Sequence, residues 1–331
     1  MDIDGTLIDN HQNVLPETKR TIEKLQQRGV IFYIATGRML SLAELIRNKI
    51  NDQVEIIASN GSVYQKGHHF HKEHLGWNAL KEIYNITSEL GLSTNFFTTD
   101  MTYYTREKPW MLSRLARVRV MADKTGNRRF EKVRDLEHLH QLSSQIINGI
   151  TIDKTKSERL DEAREKMEAT GLLKVSSSSP NNLELIPRRI SKATAVRAIM
   201  DKYGIPLERT IAFGNDMNDL EMIKAVGTGV AMGNSPQILK DEADAVTDSN
   251  VENGIGNFLE SYFDKIKKEV AFKGLLPFLF NQTKSRLSRQ QEGHQRVPQV
   301  LVCELRTNRY GHFHYRELRN HNFEFGRVHQ L

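Results

Sequence analysis

Short, continuous apolar runs that alternate with amphipathic segments constrain this chain more than any other feature. Val30 to Ala35 is apolar throughout, and Val54 to Ala58 and Thr210 to Phe213 are similar runs. A strand that faces water on one side alternates in polarity, so runs of this kind fit strands buried on both faces. Helical patterns lie between them. Pro16 can open a helix that ends near Gly29, the usual Pro-first, Gly-last order. Lys192 to Tyr203 stops at Gly204, and Asn218 to Val226 stops at Gly227. Strands alternating with helices predict an α/β fold, a doubly wound parallel sheet with helices on both faces.

The middle of the chain changes character. A helical pattern places Leu80, Ile83, Tyr84 and Leu90 on one face before Gly91. Strand-like stretches follow through Phe96–Phe97, Tyr103–Tyr104 and Gln145 to Ile152, then a charged helix over Lys156 to Thr170 and a strand over Leu172 to Ser176. We read residues 76–180 as an inserted α+β domain. Residues 1–75 and 181–268 then form the sheet domain, and the chain returns to it at about Leu183. Residues 269–331 form a basic extension without clean periodicity, in which Gly274 to Phe280 is apolar but interrupted by Pro277.

At 331 residues the chain has room for two domains with buried cores. Its 27% charged and 38% hydrophobic residues are ordinary for a globular protein. No run approaches the ~18 apolar residues of a membrane helix, and no charged-then-apolar leader opens the chain. The single cysteine, Cys303, leaves no internal disulfide and agrees with a reducing, cytoplasmic setting. The net charge of +6 resides in the tail: residues 270–331 hold 10 Lys+Arg against 4 Asp+Glu, whereas residues 1–269 hold 37 of each. Nucleic acid is therefore not the expected partner of the main body.

Four segments carry chemistry. In Asp2-Ile3-Asp4-Gly5-Thr6-Leu7 two carboxylates stand two residues apart, so an extended backbone aims both the same way. One could attack phosphorus and the other move a proton to and from oxygen. Gly5 permits a sharp turn there. Thr36-Gly37-Arg38 follows the first apolar run, and its hydroxyl and backbone amides suit a phosphoryl oxygen, or Thr36 is a plain helix cap. Lys192 at a helix start can neutralise phosphate and offset carboxylate repulsion. Gly214-Asn215-Asp216-Met217-Asn218-Asp219 concentrates oxygen donors at a strand end, as Mg²⁺ beside a phosphate requires, or forms an acidic helix start.

Taken in order, these segments resemble the haloacid-dehalogenase superfamily, and its Cof-type branch in particular. Ile34-Ala35-Thr36-Gly37-Arg38, Ser59-Asn60-Gly61, Leu183-Glu184-Leu185-Ile186-Pro187, Val230-Ala231-Met232-Gly233-Asn234-Ser235, Ala243-Asp244-Ala245-Val246-Thr247 and Asn253-Gly254-Ile255 extend the resemblance over residues 1 to about 268. It implies a Rossmann-like core with an inserted α/β cap. Asp2 would be the nucleophile and Asp4 the general acid/base. Thr36, Gly37, Lys192 and Asn218 would bind the phosphoryl group. Mg²⁺ would be held by Asp2, Asp4 and the fourth segment, through Asn215 and Asp219 or also Asp216. The substrate would be a small phosphorylated metabolite of the sugar phosphate, flavin or pyridoxal phosphate class. The same resemblance leaves a non-catalytic phosphometabolite-binding protein as an alternative, since Asn215 stands where the family usually has Asp. Lys192-Ala193 replaces the usual Lys-Gly and keeps the lysine.

The family's strand before the nucleophile is missing, since only Met1 precedes Asp2. Neighbouring strands are then expected to lose backbone partners, and a free α-amino group could pair with Asp2. Adding five or six apolar residues upstream is expected to raise soluble yield and activity. Of the weaker signals, His68, His69, His71 and His74 suggest a hairpin strand ahead of a metal cluster. Tyr103, Tyr104, Arg106 and Trp110 fall in the inserted domain, where the family selects substrate.

Overall fold

Proline and glycine punctuate the helices as expected. In a computed structural model Pro16 opens the helix Pro16–Gln26, and Gly29 follows it at φ 85°. The helix Lys192–Tyr203 begins with a capping box: Thr194 N–H donates to Ser191 Oγ at 3.3 Å and Ser191 N–H to Thr194 Oγ1 at 3.0 Å. It ends at Gly204 in the left-handed region. The structure describes residues 1–67, 69–107, 130–154, 158–177, 180–272, 303–307 and 313–317. His68, Trp110 and Gly274 to Phe280 lie outside them.

The central sheet comes in two halves. β1 (Tyr33–Ala35) and β2 (Glu55–Ala58) pair in parallel, and β3 (Val63–Lys66) and β4 (His69–Lys72) continue antiparallel. In the other half β11 (Ile211–Gly214), β12 (Thr228–Ala231) and β13 (Ala245–Val246) are parallel. Met1 to Ile3 runs between the halves. The Met1 nitrogen donates to Tyr33 O at 2.8 Å, Ala35 N–H to Met1 O at 2.7 Å, and Asp2 N–H to Phe213 O at 3.0 Å. The neighbouring strands are thus paired at this level, against the expectation of orphaned backbone. The Met1 nitrogen faces a carbonyl, and the Asp2 carboxylate is engaged by Lys192 instead.

The continuous apolar runs have a simple cause. Ile34, Ile56, Phe213 and Val230 pack on one face of the sheet with Ile3, Ile22 and Leu259. Their chain neighbours Ala35, Ile57 and Ala212 pack on the other with Val196, Ile199 and Met222. Each fully buried large side chain contributes roughly 1.5–3 kcal/mol.

The inserted cap holds β5 (Ser93–Phe97), β6 (Thr102–Tyr104), β7 (Phe130–Lys132), β8 (Asn148–Ile152), β9 (Leu173–Ser176) and β10 (Asn182–Pro187). They form a six-stranded sheet in the order β7-β6-β5-β8-β10-β9. The helices Trp77–Glu89 and Glu158–Ala169 supply Leu80, Ile83, Leu160 and Met167 to a cluster with Phe96, Leu183 and Leu185. The opposite face carries Asn95, Ile150 and Glu184 in one cross-strand row. β10 belongs to this sheet, so the chain leaves the cap after Pro187, later than the expected return at 181: Leu183 and Leu185 are held by the cap's own cluster.

The chain divides into two units, Met1–Lys265 and Ile266–Leu331. In the second, Cys303–Thr307 and Phe313–Glu317 pair antiparallel. Among the described residues no helix is long and apolar enough to cross a membrane.

Candidate active site

The site assembles at the carboxyl ends of the parallel strands, where open α/β sheets bind ligands. Asp2 leaves the central segment, Thr36 leaves β1, and Gly214 to Asp219 leaves β11. The capping box at Ser191 fixes Lys192 as the first residue of its helix. Lys192 Nζ then reaches Asp2 Oδ1 at 2.7 Å and Asp219 Oδ1 at 2.6 Å. All three side chains are buried.

Two carboxylates therefore share one ammonium, which leaves one negative charge uncompensated in a dry site. Burial is the largest influence on Asp2 and pushes its carboxyl up to about 7; Lys192 pulls it down and Asp219 pushes it further up. Burial alone would lower Lys192, but the two carboxylates outweigh it and hold the ammonium above its ordinary pKa.

Asp219 was expected among the donors to a cation, and the structure gives it another task. Besides Lys192, its carboxylate accepts from the amides of Asn215 at 3.0 Å and Asp216 at 3.3 Å through Oδ2. Both oxygens are occupied inside the protein, so Asp219 holds the lysine and the turn. Asn215 is half-buried and accepts from Thr6 Oγ1 at 3.0 Å. Asp216 is exposed and accepts from Met217 N–H at 2.7 Å. Asn218 is half-buried in the same turn. Gly5 sits at φ 74°, and a Cβ there would come within 2.5 Å of Asn215 Nδ2. Two independent constraints thus require glycine at that position.

Thr36 is buried, and its hydroxyl oxygen accepts from Arg38 N–H at 3.1 Å, so its own O–H remains available as a donor. It does not cap the following helix, whose N-cap is Met39. Asp4, by contrast, is exposed and carries an ion pair with Arg38: Arg38 Nε donates to Asp4 Oδ2 at 2.8 Å and Nη2 to Asp4 Oδ1. Arg38 Nη2 also donates to Gln12 Oε1 at 2.6 Å. Glu184 comes from the cap and accepts from Asn60 Nδ2 at 2.9 Å.

The oxygen donors that could hold a divalent cation are the second Asp2 oxygen, the Asp4 carbonyl and Asn215 Oδ1, with Asp216 nearby. Hard oxygen donors around one uncompensated negative charge fit Mg²⁺, which keeps several waters and binds few protein ligands. His69 and His71 lie in β4, where the His71 ring is tilted against Tyr64 at 4.8 Å and bonds Glu73 at 2.7 Å. Among the described residues no His/Cys/Asp/Glu group with three members is arranged for a metal.

A sequence profile of haloacid dehalogenase-like hydrolases matches residues 1–259. The chain belongs to this family. It is 28% identical over 265 residues to the 5-amino-6-(5-phospho-D-ribitylamino)uracil phosphatase YcsE of Bacillus subtilis, covering 79% of this chain and 94% of that protein. It is also 28% identical over 283 residues to the phosphatase YwpJ of the same organism, covering 78% and 97%. Among solved structures, a haloacid dehalogenase-like hydrolase from B. subtilis is similar at TM-score 0.66 and 26% identity, covering 78% and 97%. One from Bacteroides thetaiotaomicron reaches TM-score 0.68 at 23% identity, covering 79% and 97%, and shares the fold. Within this family the chain is a phosphatase, a hydrolase of phosphate monoesters.

The structure brings Asp2, Thr36, Lys192 and the Asn215–Asp219 segment to one end of the sheet, and it adds three contacts that no local pattern announces. Arg38 on Asp4, Asn60 on Glu184 and the withdrawal of Asp219 into the core all join residues far apart in the chain. The Ser59-Asn60-Gly61 segment offered one usable signal. An asparagine beside a glycine tolerates the left-handed region, and Ser59, Asn60 and Gly61 all have positive φ.

Proposed function

We infer that this phosphatase uses Mg²⁺ and an aspartyl-phosphate intermediate on Asp2 to hydrolyse a small phosphorylated metabolite. The observation that carries the reading is the buried Lys192 ammonium shared between Asp2 and Asp219 at the sheet's carboxyl end. Lys192 keeps Asp2 oriented and screens it from an approaching phosphoryl group. The Asp2 oxygen that attacks phosphorus forms the acyl phosphate as the bond to the leaving oxygen breaks. Asp4 donates a proton to that leaving oxygen and then accepts one from the water that releases phosphate. The Arg38 ion pair must loosen for Asp4 to do this. The Thr36 hydroxyl, the Gly37 amide and Asn218 donate to the phosphoryl oxygens. Asp2, the Asp4 carbonyl and Asn215 would hold the metal, with Asp216 in reserve, and Asp219 acts through Lys192. Magnesium bound there would supply positive charge that offsets the charge of the phosphoryl group.

Relatives named as phosphatases of a phosphorylated ribitylaminouracil, YcsE and YitU of B. subtilis, support this substrate class. A sugar phosphate, flavin or pyridoxal phosphate of similar size suits the same chemistry. Our reading is a cytoplasmic protein whose partner is a small metabolite rather than a membrane or nucleic acid.

Hydrolysis of p-nitrophenyl phosphate with Mg²⁺, with a chelator, and by Asp2→Asn tests the reading. Turnover that survives either removal overturns it. A purified wild type that binds inorganic phosphate but turns over no phosphate ester supports the non-catalytic alternative, which Asn215 favours.

A further inference from the structure

We propose that Asn60 and Glu184 are positioning residues, a pair through which the cap sets the geometry of the phosphate-binding turn. The proposal rests on Thr36 and Lys192 binding the phosphoryl group, as inferred above. The turn at residues 59–61 meets every part it would need to couple. Asn60 N–H donates to Thr36 O at 2.9 Å, and Ser59 N–H to Arg38 O at 2.8 Å, so the turn holds both flanks of Gly37. A Cβ on Gly61 would lie 2.2 Å from Ser191 O, so the turn also packs directly on the residue that caps the Lys192 helix. From the cap, Glu184 on β10 accepts the Asn60 amide.

The turn is held at a cost. Ser59 and Asn60 occupy the left-handed region at φ 52° and 56°. Among the described residues, Ser59 Oγ, Asn60 Oδ1 and Ser62 Oγ are buried without a hydrogen-bond partner. Asn60 Oδ1 is confined beside Gly37, where a Cβ would lie 3.1 Å from it. Turning the amide over would set Oδ1 against the Glu184 carboxylate, acceptor against acceptor. The amide therefore has one productive orientation, and it exists only while the cap presents Glu184. Strain and unpaired polar groups concentrated between the cap and the phosphate-binding turn are what a coupling element retains, whereas a packing element would lose them.

The test uses the full chain as wild type, Asn60→Asp, Glu184→Gln and the double variant, assayed with p-nitrophenyl phosphate and Mg²⁺, with Asp2→Asn as blank. Aspartate tolerates the left-handed region as asparagine does, so Asn60→Asp changes the pairing and spares the backbone. Two facing carboxylates should lower kcat/KM about tenfold or more, the worth of one hydrogen bond to a charged group. The double variant exchanges donor and acceptor across the contact and should recover most of that loss. Loss without recovery, or an Asn60→Asp enzyme within about twofold of wild type, overturns the proposal. A wild type no faster than the blank defeats the phosphatase reading instead. The same four proteins titrated with inorganic phosphate by calorimetry then decide the pairing, with the same order of affinities expected and equal affinities overturning it.

Discussion

The core sheet and the cap sheet bury polar groups for different reasons. In the core, buried polar side chains such as Asp2, Thr36, Lys192 and Asp219 gather beyond the strand ends, and the parallel strands β1, β2, β11 and β12 bury apolar side chains on both faces. In the cap, Thr94, Asn95, Thr102, Asn148 and Thr151 are buried within the strands. Thr94 and Thr151 satisfy each other at 2.9 Å, while Asn95 Oδ1, Thr102 Oγ1 and Asn148 Oδ1 have no partner among the described residues. A sheet covered on both faces has no room for polar groups except at its ends, so its chemistry collects there. The cap sheet carries Asn95, Thr102 and Asn148 on the face away from its helices, and the Thr94–Thr151 pair on the helix-covered face beside Phe96 and Leu183. This contrast implies that core polar residues are coupled to turnover and to each other, and that cap polar residues act singly or in isolated pairs.

The largest expected effect is at Asp2. Asp2→Asn should lower turnover by at least ~10³-fold, measured with a generic phosphate ester, since it removes the attacking carboxylate. Next is Lys192→Met, which leaves Asp2 and Asp219 buried without their shared cation. A loss of about 3–5 kcal/mol is expected in urea unfolding. A loss below about 1 kcal/mol would mean that the core triad is no more coupled than the cap's single groups. Gly61→Ala should cost about 1–3 kcal/mol, because its φ of 99° and the nearby Ser191 carbonyl both resist a Cβ. In the cap, Thr151→Val strands the Thr94 hydroxyl and should cost about 1–3 kcal/mol, while Thr94→Val with Thr151→Val should cost less than the single change. Additive losses there would show that the two hydroxyls do not satisfy each other. The smallest effect belongs to Lys174→Ala, which breaks a part-exposed pair with Glu221 and should shift stability by at most ~1 kcal/mol.

Individual elements show how far the sequence could be read. Val30 to Ala35 and Thr210 to Phe213 announced themselves because burial on both faces removes every polar residue from a strand. The helix at Lys192 was read to the residue, since a serine cap and a left-handed glycine fix both of its ends by local chemistry. β10 lies in the cap sheet rather than the core, because nothing local distinguishes a strand held by the cap's cluster from one held by the core's. The density of oxygen donors around Asp219 suggests a metal ligand, but neither its burial nor its lysine partner is a local property.

The order of motifs along the chain was enough to establish the fold class and the family, because turns, caps and strand burial are encoded within a few residues. Which carboxylate meets which cation was settled only by folding. Lys192 stands 190 residues from Asp2 and 27 from Asp219, and Asn60 stands 124 from Glu184. Those distances in sequence close only when the sheet brings its strand ends together and the cap descends on the turn at Asn60. Charge pairing depends on separation in space and on the exclusion of water, and a linear chain specifies neither until it is packed.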